Sequence, residues 1–358
     1  MVIKFLKAYK GDSILISFKD LNNRPKNILI DGGTSGTYYD SSFNKYGDLK
    51  NEIENIRKQN EYIDLLILTH IDNDHICGLL KWFEMDKNAH QLVKNVWFNS
   101  GKLIAEYLQE LENNDLNVEL DLSKSAYTGV NEAVNFENYL LEKKIWERKI
   151  IKQGNIYKCE NFQIHVLSPT KNQLQKLLKE YKKKTGDDAY TAAGEKDWNI
   201  DLKTFIEEEN DTGFKFVQDI SVTNGSSISF ILTISGKNFL FLGDCHPKET
   251  VKYLKKKGYS KENPLNVELL KMSHHGSKSN TNTELLEIVK TENYIISTDS
   301  STHGHPNKRT LARIINVNSS AVFHFNYEFV KDNVFNDNDF EDYKNFSIKL
   351  INELNFAL

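Results

Sequence analysis

The chain has 358 residues, of which 39% are hydrophobic and 27% charged, and its formal net charge at pH 7 is −4. This composition is typical of a globular protein with one large domain or two modest ones. It excludes a strongly basic nucleic-acid binder, and the lack of any run of about 18 uninterrupted apolar residues excludes a membrane span. Three distant cysteines, Cys77, Cys159 and Cys245, indicate no disulfide framework, so we expect a cytoplasmic location.

The first 31 residues predict short strands. The segments VIKFLKAY, SILISF and NILIDGG carry β-branched and apolar residues in runs broken by turn residues. We interpret the N-terminus as a strand rather than a signal peptide, because it lacks a long apolar centre. Residues 34–47 are loop-like and 48–60 have helical spacing. The apolar run YIDLLILT then predicts a buried strand.

The rest of the chain alternates between charged helical stretches and apolar strands. Helices are predicted at 76–86, 247–257, 281–290 and 308–316, with strands at 92–99, 266–272 and 293–298. Residues 101–148 and 171–212 are interpreted as helical insertions into one domain that spans 1–316. We expect residues 317–358 to be a C-terminal extension packed on that core, with a loop at 332–341 and a helix near 342–354.

Apolar strands repeatedly end in polar clusters. Because strand ends gather along one edge of a sheet, and because buried charged groups must be paired or bound to metal, these clusters predict one site. A mixed imidazole and carboxylate set suits zinc, manganese or iron, and we expect one or two divalent ions, Zn²⁺ or Mn²⁺. The residues that follow the strands are Asp31, the segment His70 to His75, Asp244, the pair His274 and His275, and the pair His303 and His305.

The segment THIDNDHICGL resembles the signature of the metallo-β-lactamase-fold hydrolases, Thr-His-x-His-x-Asp-His after a strand, with Asp72 in place of the second His. This variant, with FLGD, LKMSHHGSKSN and ISTDSSTHGHP, is similar to the hydrolase domain of ComEC-type competence proteins and their stand-alone relatives. YKGDSILI, ILIDGG and YKCENFQIHVLSPT match the same group. The resemblance covers roughly 1–100, 150–170 and 220–316. It implies an αββα sandwich, in which two mixed β-sheets pack face to face with helices outside.

The resemblance also implies a role for each member of the first motif. His70 and Asp72 are expected to bind the first metal, Asp74 and His75 the second, and Asp244 to bridge the two.

The later motifs are expected to complete this site. The resemblance favours His275 as a further ligand, because it immediately precedes a glycine as in the family's late Pro-Gly-His-Gly motif, and His274 is expected to join it or to hydrogen-bond nearby. Asp31 is expected to orient a ligand imidazole. His303 and His305, with Asp74, are the expected catalytic residues. His305, with an unperturbed pKa near 6.5, would contact a phosphate oxygen or protonate a leaving group.

The sequence departs from the family pattern at one ligand. The wider family has a His before the strand pair that ends in Gly-Asp, and here Thr223 and Asn224 stand instead. The first metal site is therefore expected to bind metal weakly, to prefer manganese or to be vacant. Cys77 is expected to be a small buried residue. The histidines to which we assign no role in the site are His90, His165, His246 and His324.

Together these features predict a metal-dependent hydrolase. The resemblance to the competence-protein domain implies, more specifically, a phosphodiesterase or nuclease acting on a phosphate-ester or nucleic-acid substrate. A dinuclear site lowers the pKa of a bound water toward neutrality, and Asp72 makes the site oxygen-rich, which favours manganese-like ions. Two alternatives stay open. One is hydrolysis of a small molecule such as a lactone, a cyclic nucleotide or an amide. The other is a partner-regulated component of a larger complex, which binds another protein through the helical insertions.

Overall fold

A computed structural model describes residues 1–108, 128–159, 161–182 and 194–358. Residues 109–127 and 183–193 of the two predicted insertions lie outside the described residues. The strands are β1 (Val2–Phe5), β2 (Ile14–Lys19), β3 (Pro25–Ile30), β4 (Tyr39–Asp40), β5 (Lys45–Tyr46), β6 (Leu65–Ile67), β7 (Val96–Trp97), β8 (Ile156–Lys158), β9 (Phe162–Ser168), β10 (Ser229–Ile234), β11 (Lys237–Phe241), β12 (Leu265–Asn266), β13 (Leu269–Lys271), β14 (Val289–Lys290), β15 (Asn293–Ile296), β16 (Val322–Phe325), β17 (Ser347–Leu350) and β18 (Glu353–Asn355).

The helices include several of the predicted ones, and the described parts of both insertions contain helix. They are α1 (Ser35–Tyr38), α2 (Asp48–Lys58), α3 (Asn73–Met85), α4 (Ala89–Leu92), α5 (Gly101–Tyr107), α6 (Thr128–Lys143), α7 (Lys171–Tyr181), α8 (Leu202–Asn210), α9 (Val222–Gly225), α10 (Pro247–Lys256), α11 (Thr283–Ile288), α12 (Lys308–Val317), α13 (Glu328–Asn333) and α14 (Asp337–Asp342). A tight turn occupies Ser273–Gly276.

The chain divides into two compact units. The described residues of the first unit fall within Met1–Gln153, Pro169–Tyr190 and Glu353–Ala357. Its sheet has the order β18-β1-β2-β3-β6-β7, antiparallel from β18 to β3 and parallel from β3 to β7. Strand β6 is buried along its whole length, as its continuous apolar sequence requires. Helix α2 buries Leu49, Ile53 and Ile56, the face that the sequence spacing predicted.

The described residues of the second unit fall within Gly154–Ser168 and Thr191–Asn352, together with Leu358. Its sheet has the order β17-β16-β15-β13-β11-β10-β9-β8, parallel from β17 to β11 and antiparallel from there to β8. A continuous apolar core joins this sheet to its helices, with fully buried side chains such as Leu240, Leu270 and Leu311. Two mixed sheets with helices confirm the predicted fold class.

Parallel neighbours fix where the polar clusters lie. In the first unit β3 and β6 are parallel neighbours, with Ile30 paired to Ile67. In the second unit β11, β13 and β15 are consecutive parallel neighbours. Parallel strands end at the same edge of their sheet, where open α/β sheets bind ligands. The prediction that strand ends bring the polar residues to an edge is therefore confirmed within each sheet.

The predicted start of the helix that follows the first motif was wrong. Helix α3 begins at Asn73 rather than at residue 76, so Asp74 and His75 belong to its first turn. The backbone N–H groups of His75 and Ile76 both donate to the carbonyl of Asp72, which closes that turn. An acidic residue here is favourable because the N-terminus of a helix carries partial positive charge.

The prediction for the C-terminal tail was wrong. Residues 347–350 and 353–355 form β17 and β18 rather than a helix, and the predicted loop 332–341 contains most of α14. Strand β17 pairs with β16 and β18 pairs with β1. Sheet pairing therefore outweighs the weak helical spacing of the tail. Among the described residues, no helix is long and apolar enough to cross a membrane.

Candidate functional site

The first cluster lies in the first unit, at the ends of β3 and β6. Its centre is the buried carboxylate of Asp31, which accepts hydrogen bonds from the Thr69 backbone N–H at 2.7 Å, from Thr69 Oγ1 at 2.7 Å and from His75 Nδ1 at 2.8 Å. Because a carboxylate only accepts, the proton of His75 is on Nδ1 and its Nε2 carries the lone pair. This is the tautomer in which imidazole binds metal.

Asp31 also controls His70, through Thr69. Thr69 Oγ1 gives its only proton to Asp31, so its 3.1 Å contact with His70 Nδ1 requires His70 to donate. His70 Nε2 therefore carries a lone pair, and it lies 3.6 Å from Asp72 Oδ2. The His70 and His75 rings are 4.1 Å apart between centroids. One carboxylate thus sets the tautomer of both imidazoles of the motif.

Two further carboxylates belong to this cluster. Asp72 occupies the N-cap of α3, yet its side chain accepts no capping hydrogen bond, although N-cap aspartates usually do. Asp12 is 2% exposed, and it and His75 each offer a ligand atom within 4.8 Å of the other. Asp12 was not identified from the sequence, although it lies in the segment YKGDSILI, which carries part of the family resemblance.

Gly11 allows the loop that carries Asp12 to approach α3. A Cβ at Gly11 would lie 1.8 Å from the Asp74 carbonyl oxygen, so no other residue fits there without moving the backbone. The Asp12 N–H donates to that same carbonyl at 3.2 Å. Asp74 therefore fixes the Asp12 loop through its backbone.

Cys77, in the second turn of α3, is half-buried. Burial raises the pKa of its thiol to about 12, which keeps it protonated at neutral pH.

The second cluster lies in the second unit, after β11, β13 and β15. His275 is buried and donates from Nδ1 to the Ser297 carbonyl at 2.9 Å, so its lone pair is on Nε2. That Nε2 lies 4.0 Å from Asp244 Oδ2. Asp244 is 2% exposed, and its backbone N–H donates to Ser227 Oγ at 3.2 Å.

His274, like His275, has its Nε2 on the side of Asp244. Its Nε2 is 3.7 Å from Asp244 Oδ2, and its Nδ1 is 3.1 Å from Asn280 Oδ1. Asn224, one of the residues that stand where the family pattern has a histidine, has its Nδ2 3.4 Å from the same Nδ1. Both His274 and His275 are therefore next to Asp244 in the second unit.

Asp219 and His246 also belong to the second cluster, and sequence reasoning identified neither of them. Asp219 Oδ2 lies 3.7 Å from His246 Nε2 and 3.7 Å from His274 Nδ1. Burial favours protonation of Asp219, but the donors around it outweigh burial and hold its pKa well below the usual value. No sequence motif marks Asp219, because it lies in an irregular segment far from the other members of the cluster.

His303 and His305 complete the second cluster. The His305 ring lies 4.8 Å from that of His274 and 6.1 Å from that of His303, between centroids. Burial lowers the pKa of His305 well below its ordinary value, and the neighbouring imidazoles lower it further. The unperturbed pKa expected from the sequence is therefore wrong, because His305 is buried among other histidines rather than exposed in a loop.

The segment 194–198 holds the loop that carries His303 and His305. Trp198 Nε1 donates to the Pro306 carbonyl at 2.8 Å. The Asp197 carboxylate accepts from the backbone N–H groups of Lys308 at 2.6 Å and Arg309 at 3.3 Å. These contacts cap α12 and anchor the end of the loop that carries His303 and His305.

Both clusters contain residues with left-handed backbone conformations, which also occur elsewhere in the described residues. Asp31, His274, His275 and His303 all have positive φ values, between 47° and 59°. Each such conformation costs roughly 1–2 kcal/mol for a residue with a side chain. Strained conformations of this kind are held where function requires them, which supports a functional role for both clusters.

The donor chemistry of these residues fits a divalent metal. In each cluster, histidines have Nδ1 engaged by an oxygen acceptor and the Nε2 lone pair beside a carboxylate. Outer partners of this kind fix metal-binding histidines in known sites. A buried set of Asp and His side chains without neutralising cations is otherwise unfavourable. Asp12 and His75 of the first unit, and Asp244 and His275 of the second, offer the ligand atoms.

The solved structures to which this chain is similar share little sequence with it. The metallo-beta-lactamase fold protein YhfI from Bacillus subtilis is 10% identical with a TM-score of 0.41, over 98% of this chain and 95% of that one. CmlA, a diiron beta-hydroxylase from Streptomyces venezuelae, is 11% identical with a TM-score of 0.40, over 100% of this chain and 54% of that one. The chain thus spans about half the length of CmlA. No curated protein sequence matches.

The sequence profile of the Metallo-beta-lactamase superfamily matches residues 11–299, a range that includes Asp12 and every member of the second cluster up to Ser297. This superfamily binds divalent metals, and membership indicates a metal-dependent hydrolase. Because the match covers well over half of the sequence, the chain belongs to the metallo-beta-lactamase superfamily.

Proposed function

We propose that the protein is a phosphodiesterase that depends on divalent cations and cleaves nucleic acid, and that the histidines and carboxylates of its clusters bind those cations. The observation that carries this proposal is the repeated arrangement of histidines with Nδ1 protonated and Nε2 beside a carboxylate. It occurs at His70 with Asp72 and at His274 and His275 with Asp244. The resemblance of the motifs to ComEC-type hydrolase domains supports a nucleic-acid substrate.

The ligand chemistry favours manganese-like ions. Asp12, Asp72 and Asp244 make the donor set rich in carboxylate oxygen, and such oxygens suit Mn²⁺, while imidazole suits Zn²⁺ and its neighbours. In this proposal the ligands are His70, Asp72, Asp74, His75, Asp244, His275 and His274, joined by Asp12. When bound, the cations supply an activated water at neutral pH and neutralise charge on the phosphate.

The protein's own residues orient and enclose the site. Asp31 keeps His75 and His70 in the tautomer that binds metal, and the Ser297 carbonyl does the same for His275. His303 and His305 are proposed to contact the phosphate oxygens or the leaving group. Because His305 is neutral at neutral pH, it can donate one hydrogen bond to an oxygen without adding a positive charge to the histidine cluster.

The test is hydrolysis of a simple diester, bis(p-nitrophenyl) phosphate, and of labelled single-stranded DNA by the protein loaded with Mn²⁺ or Zn²⁺. A metal that activates water contributes several kcal/mol, so Asp244→Asn is expected to lower the rate on both substrates at least about 100-fold. Asp332→Asn is the matched control, because Asp332 is an exposed aspartate that pairs with its neighbour Lys331. It should keep the parental rate.

Two results would contradict the proposal. One is an Asp244→Asn variant that cleaves diesters as fast as the parent. The other is a loaded parent that opens lactones or amides but cleaves no diester. A salt titration separates nucleic acid from small diesters as the substrate, because affinity for a polynucleotide falls steeply as salt rises.

A further inference from the structure

A cradle of one carboxylate and two amides, formed by Asp219, Asn224 and Asn280, surrounds the Nδ1 side of His274. Asn224 Nδ2 donates to Asp219 Oδ2 at 2.7 Å, and Asn280 Nδ2 donates to the same oxygen at 3.0 Å. The other carboxylate oxygen, Oδ1, accepts from the Ser221 N–H at 2.8 Å. Both oxygens of Asp219 are therefore engaged, and both amides are aimed at it.

The orientation of the Asn280 amide is fixed by this arrangement. Its Nδ2 donates to Asp219 Oδ2 and also to the Asp244 carbonyl at 3.1 Å, two groups that only accept. Its Oδ1 must therefore face the other way, and there it lies 3.1 Å from His274 Nδ1. Asn280 is fully buried, so no solvent is available to satisfy a flipped amide.

The orientation of Asn280 in turn sets the tautomer of His274. An amide oxygen at 3.1 Å and a carboxylate at 3.7 Å both favour a proton on Nδ1. The Asn224 amide nitrogen lies 3.4 Å from the same Nδ1. It does not oppose this tautomer, because it donates to Asp219 Oδ2 at the shorter distance of 2.7 Å. His274 Nε2 then carries a lone pair on the side of Asp244.

We infer that Asp219 is a positioning residue: through Asn280 it fixes His274 in the tautomer whose Nε2 binds the metal beside Asp244. This inference rests on the proposed metal site, and it assigns the ligand role to His274 as well as to His275. The backbone supports the arrangement, because the Asp219 N–H donates to the Ser279 carbonyl at 3.0 Å. This bond ties the Asp219 segment to the turn that carries Asn280.

The first experiment measures Co²⁺ affinity by calorimetry for the whole chain and for Asp219→Asn. An asparagine cannot accept from both amides and from the Ser221 N–H, so Asn280 loses its fixed orientation. Removing an outer partner of a metal-binding histidine typically lowers metal affinity 10–100-fold, and we expect a loss of that size. Asp332→Asn, the exposed control, should bind Co²⁺ as the parent does.

A spectroscopic readout separates positioning from general damage to the fold. In the Co²⁺ protein, each histidine that binds through Nε2 gives a paramagnetically shifted Nδ1 proton signal that disappears in D₂O. His274→Ala should remove one such signal, and Asp219→Asn should remove or shift the same one. Asp219→Asn should add little further loss of affinity in the His274→Ala background, because the two residues act as one unit.

Asn224→Ala provides a second test that leaves the charge of Asp219 in place. Loss of one ordinary hydrogen bond to the carboxylate predicts about a fivefold loss of Co²⁺ affinity, and this variant decides the matter if Asp219→Asn does not fold. The inference is overturned if Asp219→Asn, or in its absence Asn224→Ala, binds Co²⁺ within twofold of the parent. It is also overturned if the Asp219→Asn loss is undiminished in the His274→Ala background. Because none of these readouts uses hydrolysis, they remain valid if no diester is cleaved.

Discussion

Each of the two clusters uses one carboxylate to control its histidines, but the two carboxylates act in different ways. In the first cluster Asp31 contacts His75 directly at 2.8 Å and reaches His70 through one hydroxyl. In the second cluster Asp219 lies 3.7 Å from His274 and acts through amides. The carboxylate that contacts His75 can only accept a hydrogen bond, whereas a side-chain amide can flip and exchange the positions of its donor and its acceptor. The tautomers of the first cluster are thus set by a carboxylate, whereas the tautomer of His274 is set by an amide whose own hydrogen bonds hold its orientation.

The two histidine–carboxylate pairs also differ in exposure. The side chains of His75 and Asp31 are 0% and 1% exposed, whereas those of His274 and Asp219 are 22% and 12% exposed. The second cluster also depends on a remote segment, because Asp197 and Trp198 anchor the loop that carries His303 and His305. We therefore expect substitutions at distant residues to disturb the structure of the second cluster more than that of the first.

The largest effect is expected from breaking the ion pair between Lys308 and Asp339. Both side chains are fully buried, and Lys308 Nζ also donates to the Trp198 carbonyl at 3.0 Å. Lys308→Met leaves a buried charge without its partner, which typically costs about 3–5 kcal/mol of unfolding free energy. Urea unfolding measures this loss. Hydrogen exchange should show faster opening at 303–306 and unchanged protection at 69–75.

A second variant checks the cause of that loss. In the parent, the Leu202 N–H donates to Asp339 at 2.7 Å. The double variant Lys308→Met with Asp339→Asn removes the uncompensated charge but keeps an acceptor for this N–H. We expect this double variant to recover more than half of the lost stability. A single variant that loses less than about 1 kcal/mol would show that the pair is not the anchor described here.

A smaller effect on stability, but a clear one on metal affinity, is expected from Asp31→Asn. The new amide can donate to His75 Nδ1, which moves the ring proton to Nε2 and removes the lone pair that binds metal. Metal affinity should fall about 10–100-fold, and the unfolding free energy by about 1–3 kcal/mol because buried donors lose their acceptor.

Calorimetric metal titration and urea unfolding of the same samples measure both quantities. The control is Asp64→Asn in the same unit, because Asp64 accepts from Asn27 and Lys94 outside the cluster. It should lower stability without changing metal affinity. If Asp31→Asn keeps the parental affinity, Asp31 does not set the tautomer of His75.

The first cluster was largely predictable from the sequence. Its histidines and carboxylates follow one another within a single motif after an apolar strand, and Asp31 follows the neighbouring strand in the same way. A site whose residues are close together in the sequence can be recognised from the sequence alone. What the motif could not reveal was that α3 begins at Asn73, because the same residues suit a polar loop and the first turn of a helix.

The second cluster was predictable only in part. Asp244, His274 and His275 follow apolar strands and were identified, whereas Asp219, His246 and Asn280 depend on long-range packing. Asp219 precedes α9 in an irregular segment, and nothing in its local sequence distinguishes it from a solvent-exposed aspartate. The burial of His305 has the same origin, since it depends on where the chain brings three other imidazoles. The C-terminal strand β18 was missed because its partner β1 lies at the opposite end of the sequence, and β17 because α13 and α14 separate it from its partner β16.

Metal stoichiometry tests most directly whether the histidines of the two clusters bind divalent cations. Equilibrium dialysis with elemental analysis would count the bound Mn²⁺ or Zn²⁺ in the parent, in His75→Ala and in His275→Ala. We expect the parent to bind metal and each variant to bind less of it at the same free concentration, because each variant loses an imidazole ligand. A parent that binds no metal, or two variants that both keep the parental stoichiometry, would contradict the proposal.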